Sequence, residues 1–235
     1  INLAINATIT GVLTLTSGII NTGSNTVIIS STGSVTRTSG HINGNEQRNF
    51  STGANVLRVF DIGDASKYTP VSLTFANVSV AGNLIISTTG TEHPLIISAQ
   101  INGAKSVNRY WTVTNSGIAF TSYSAVFNFI STDVDAGSNT STFIIGNNNG
   151  AWSYPTVGRK PPRSAQATGI TNFGDFAIGE YLSCTTPTLI ISDPAAFCSP
   201  ATVDLTVPAI TAGSTGGQTF TYWTNITATV PLASP

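Results

Sequence analysis

The residues able to do chemistry in this chain are few and far apart. His41 and His93 are the only imidazoles, and neither is grouped with a Ser, Thr or Cys that it could activate. Nucleophilic catalysis needs a base held against a nucleophile and oriented by a third group, so no triad is expected. Residues 1–45 contain no Asp or Glu, and Arg37 is their only basic residue apart from His41. Glycoside cleavage needs paired carboxylates, and lyase chemistry a carboxylate, metal and Arg cluster; this stretch offers neither. The expectation is a protein that is not an enzyme.

Three weaker constellations remain. Asp133-Val134-Asp135-Ala136-Gly137-Ser138-Asn139 is a D-x-D-x-G-x-N run. Alternate oxygens with a Gly to turn the chain are what Ca²⁺ requires, which makes Asp133, Asp135 and Asn139 candidate ligands and Ca²⁺ the only candidate cofactor. The run lacks the distal Glu of an EF-hand, and a turn in which Asp and Asn cap their own backbone is the simpler use. Asp61 and Asp64 make the same case more weakly. Trp152 and Tyr154, flanked by Gly and Asn, could stack on sugar rings from a loop or pack at a sandwich rim. Cys184 and Cys198 are the only cysteines, and an isolated pair reads as one disulfide and an oxidising, extracellular home.

Charged residues are 8% of the 235, against roughly 25% in ordinary soluble domains. With 40% apolar residues the chain can still bury a core. A net charge of -1 and scattered Lys and Arg argue against nucleic acid. No run of about 18 apolar residues is present, so no helical membrane insertion is expected. Residue 1 is Ile and Met is absent. A cleaved signal peptide or a sequence that begins within a longer protein accounts for this equally.

These residues must be positioned by strands, because no window carries a helical period and Gly, Pro and β-branched residues interrupt every candidate helix. Sliding the chain by 22 positions superposes Gly11, Thr14, Thr16, Ser17, Gly18, Ile20 and Asn21 on Gly33, Thr36, Thr38, Ser39, Gly40, Ile42 and Asn43. Such a repeat predicts β-solenoid-like coils over 1–45, with similar hairpins as the alternative. Residues 46–183 read as a central β-sandwich, with strands at 56–60, 71–78, 83–88, 93–99, 109–114, 123–130, 142–146 and 174–181. Alternation along 109–114 puts Trp111 and Val113 on one face, with Trp111 in the core. Residues 184–235 read as the start of an immunoglobulin-like sandwich, with strands at 203–207 and 219–223. The fold class is all-β. Leu3, Ile5, Ala7 and Ile9 alternate as a donor strand would, so completion of the last module by another copy stands beside a continuation beyond Pro235.

Asn43-Gly44-Asn45, Arg48-Asn49-Phe50, Phe60-Asp61-Ile62-Gly63, Tyr68-Thr69-Pro70-Val71 and Arg109-Tyr110-Trp111 form a pattern of short strings. It resembles a module of large surface proteins exported by the type IX secretion system of Bacteroidota. Asp193-Pro194-Ala195-Ala196-Phe197-Cys198-Ser199-Pro200, followed by Val203-Asp204-Leu205-Thr206 and Thr221-Tyr222-Trp223-Thr224, resembles the opening of the immunoglobulin-like repeats of such adhesin-like proteins. The resemblance implies export and display at the cell surface or outside the cell, and carries no catalytic residue. The expected function is an extracellular structural or adhesive surface protein, with a subunit of a filament or surface stalk as one form of it. Its partners would be copies of itself, other surface proteins or a polysaccharide. The alternative is a carbohydrate-binding accessory region of a secreted enzyme.

Overall fold

Period-two alternation along Val71–Val80 turns Val71, Leu73 and Phe75 inward and leaves Ser72 and Thr74 half-buried, as a strand with one face on a core must. The computed structural model describes the chain except for residues 184–187, 197, 199–203, 216–218 and 234–235. The chain divides into two compact units, Ile1–Leu182 and Ser183–Pro235.

The first unit is all β, with three short 3₁₀ turns. Its nine-stranded sheet runs in the order Ala7–Ile9, Ile19–Ile29, His41–Phe50, Gly82–Thr89, Ile101–Ser116, Gly174–Tyr181, Phe143–Asn148 and Trp152–Ser153, and Ile62–Gly63 also pairs with His41–Phe50. The sheet starts parallel and becomes antiparallel where His41–Phe50 meets Gly82–Thr89. A six-stranded antiparallel sheet packs against it, centred on Val71–Val80 and Tyr123–Asn128. The sandwich core between them holds Phe50, Phe60, Phe75, Trp111, Phe127 and Phe176. Each such ring contributes about 1.5–3 kcal/mol by leaving water.

The 22-residue repeat has a direct counterpart in pairing. Leu13 pairs with Val35 and Ile20 with Ile42, in parallel ladders offset by 22 positions. Asn43 Nδ2 donates to Asn21 Oδ1 at 3.0 Å, and Asn21 Nδ2 to Asn2 Oδ1 at 2.9 Å, so an amide ladder follows the backbone ladder. Gly44 has φ +117°, and a Cβ there would collide with the Thr22 hydroxyl of the preceding strand. Residue 45, where the texture of the sequence changes, lies inside the strand His41–Phe50. Ile1–Ile9 lies along Ile19–Ile29 of its own chain, and Ile5 faces solvent instead of sharing the inward face of Leu3 and Ile9.

Three expected strands do not form among the described residues. Residues 93–99 form a 3₁₀ turn, Ile96–Ser98, because Pro94 has no N–H for a ladder and His93 Nδ1 accepts the Leu95 N–H at 3.1 Å, curling the chain. In Ser183–Pro235 the described part of 203–207 is a turn in which Asp204 Oδ1 accepts the Thr206 N–H at 2.8 Å. Of 219–223, only Trp223 makes a bridge, to Pro231.

Candidate functional site

Arg109 lies on the inward face of Ile101–Ser116, in phase with Val107, Trp111 and Val113, and is fully buried. A guanidinium there is tolerated only if its charge and N–H groups are met. Its Nε donates to Asp133 Oδ2 at 2.9 Å, its Nη2 to Asp64 Oδ2 at 2.5 Å and its Nη1 to Thr88 Oγ1 at 3.2 Å. Lys67 Nζ donates to the other Asp133 oxygen at 2.6 Å. Burial raises both carboxyl pKa values, but the Arg109 hydrogen bond and charge outweigh it. Asp64, which also accepts the Ser66 and Lys67 N–H groups, is held at about 2, and Asp133, helped by Lys67, below its ordinary value.

A second ion cluster adjoins the parallel strands. Glu46 and Arg48 are two residues apart on one strand face and therefore neighbours. Arg48 Nε donates to Glu46 Oε1 at 2.5 Å and its Nη2 to Asp61 Oδ2 at 3.2 Å. The Asp61 N–H donates to Glu46 Oε2 at 2.6 Å, Tyr68 Oη donates to Asp61 Oδ1 at 2.7 Å, and Arg37 lies 3.4 Å over the Tyr68 ring. Burial pushes the Glu46 carboxyl up to about 7 against the pull of Arg48, and the Asp61 charge adds to the rise. The segment Asp61–Tyr68 contributes to both clusters, and so connects the parallel strands to the sandwich interior.

The residues singled out in the sequence occupy defined places. Asp133 faces Arg109 and Lys67, whose charges would repel a cation. Asp135 accepts the Ser106 N–H at 2.9 Å and Asn108 Nδ2 at 2.6 Å. Asn139 Oδ1 accepts the Ser141 N–H at 3.1 Å. The run therefore makes three separate sets of internal hydrogen bonds, and no group of three or more His, Cys, Asp or Glu suited to a metal occurs among the described residues. Trp152 and Tyr154 come together, against Ala99, Ile101 and Ala177. A Cβ at Gly146 would meet Trp152 Cε3 at 2.8 Å, and Trp152 Nε1 donates to Ser98 Oγ at 3.1 Å, so the indole packs as a lid on the sheet. Tyr154 Oη accepts the Gln100 N–H. Cys198 is exposed, while Cys184, its expected partner, lies outside the described residues.

His41 and His93 remain apart. His41 Nε2 lies 2.7 Å from the Asp64 carbonyl oxygen, and His93 Nε2 lies 3.3 Å from Asp175 Oδ2. With Nδ1 of His93 accepting from Leu95, its proton belongs on Nε2, toward Asp175. Sequence reasoning missed the roles of Glu46, Arg48, Lys67 and Arg109. The available signal was the phase of Arg109 with Trp111 on a strand otherwise apolar on that face. Comparison with known proteins finds no matching family model, no matching curated protein and no matching solved structure.

Proposed function

We propose that the chain is an extracellular structural or adhesive surface protein of the type IX-secreted, adhesin-like kind, whose β units act as rigid modules of a larger surface assembly. On this reading the parallel N-terminal strands are β-solenoid-like coils and Ser183–Pro235 belongs to an immunoglobulin-like module. The observation that carries it is the closure of the buried ion clusters on themselves. Arg109, Asp133, Asp64 and Lys67 satisfy one another, as do Arg48, Glu46 and Asp61, where a catalytic site would aim such groups at a substrate. Clusters of this kind hold strands in a single arrangement, which suits a module that bears load.

The test is immunogold imaging of native material with antibodies to Ile1–Leu182. Label on filaments, stalks or surface arrays is the expected result. Label confined to the cell interior, or turnover of a glycan by the purified chain, would overturn the proposal.

A further inference from the structure

The strand Ile101–Ser116 stays paired with Gly82–Thr89 as far as Ser116, but its ladder with Gly174–Tyr181 stops where Val113 meets Gly174. A cleft of about 550 Å³ opens beyond that point, between residues 112–115, Phe120, Asn149 and the loop 171–174. Its size falls within the roughly 300–1,000 Å³ of small-molecule sites.

The chemistry of the walls is specific. No charged side chain lines the cleft. Phe120 and Phe173 present half-buried rings 5.0 Å apart, and Tyr123, stacked on Phe173 at 5.2 Å, holds them from behind. Thr112, Thr171, Asn149 and Asn172 complete the lining. Asn115, by contrast, is occupied with the Ile118 backbone.

We propose that this cleft binds a neutral saccharide. Sugar hydroxyls both donate and accept, as the Asn and Thr groups here do, and the apolar face of a pyranose matches a phenyl ring. A phosphate, carboxylate or metal ion would need a counter-charge that the walls lack. The proposal rests on the adhesive half of the function above and adds its ligand class. It also moves sugar recognition away from Trp152 and Tyr154.

The test is titration of the isotope-labelled full chain with cellohexaose, maltohexaose, laminarihexaose and mannohexaose, followed by amide chemical shifts. At least one at millimolar concentration should shift the signals of Asn149 and Asn172. Asn149→Ala, which removes a lining amide, should weaken that binding by about tenfold or more while leaving the melting temperature unchanged. Asn172→Ala, on the loop, should weaken binding without loss of the fold. No shift at the cleft with any of the four sugars overturns the proposal, as do shifts centred on Trp152 and Tyr154, or Asn149→Ala and Asn172→Ala chains that bind unchanged. Saccharide binding without surface label would sink only the function proposed above, and surface label without binding only the cleft.

Discussion

Arg109 and Asp133, 24 positions apart, meet in the interior at 2.9 Å with side chains 0% and 1% exposed. Both lie within the sandwich unit, one on the longest strand and the other on the 3₁₀ turn Ser131–Asp133. Their pairing fixes where that turn sits against the strand.

Arg109→Met should therefore destabilise the chain by about 3–5 kcal/mol, because it leaves Asp64 without its cation and the buried Asp133 with Lys67 alone. Adding Asp133→Leu should recover part of the loss, since one stranded carboxylate is then removed and Lys67 can reach water. Denaturant unfolding of both variants measures this. A single variant as stable as the parent would show that the pair holds nothing in place.

Stability should pass through a maximum near pH 4. Folding raises the Glu46 carboxyl from 4.5 to about 7, so between those values the folded chain binds more protons than the unfolded chain and loses stability as pH rises. Glu92, raised chiefly by burial, adds to the same trend. Folding lowers Asp64 from 3.8 to about 2 and lowers Asp133 as well, so their contribution is present above pH 3.8 and is lost as pH falls toward 2. Melting curves across this range, with Glu46→Gln alongside, check the assignment. The variant should decline less above pH 4.5, and an identical decline would place the titration elsewhere.

Treatment with EDTA should leave the melting temperature unchanged, because Asp133, Asp135 and Asn139 are engaged with the chain itself. A Ca²⁺ site filled at 100 times its Kd would add about 2.7 kcal/mol, which a melting curve registers easily. A marked drop in EDTA would restore the metal reading of this run.

Cys184 and Cys198, the chain's only cysteines, should be joined in natively purified protein if the proposed extracellular setting holds. The bridge would contribute about 3 kcal/mol for a loop of this length. Intact mass after alkylation, with and without reductant, decides it, and two thiols that alkylate without reduction would rule the bridge out.

What the sequence by itself determined was local periodicity. Alternation located strands at 71–78, 83–88 and 174–181, which form as Val71–Val80, Gly82–Thr89 and Gly174–Tyr181, the 22-residue repeat carried the parallel register of Leu13 with Val35, and Trp111 was legible as core. The strand Ser164–Ile170 was not legible, because its inward positions are Ala165 and Ala167, whose contrast with Gln166 and Thr168 is too weak to read as a buried face. Nor was the curl at 93–99, which depends on the His93 ring accepting from Leu95. The cluster around Arg109 was decided only by the tertiary structure. Lys67 and Asp133 stand 66 positions apart, Arg109 and Asp64 45, and nothing in their local sequence pairs them. A charge on an apolar strand face shows that a partner must exist, but only the packing of two sheets brings that partner within hydrogen-bond reach.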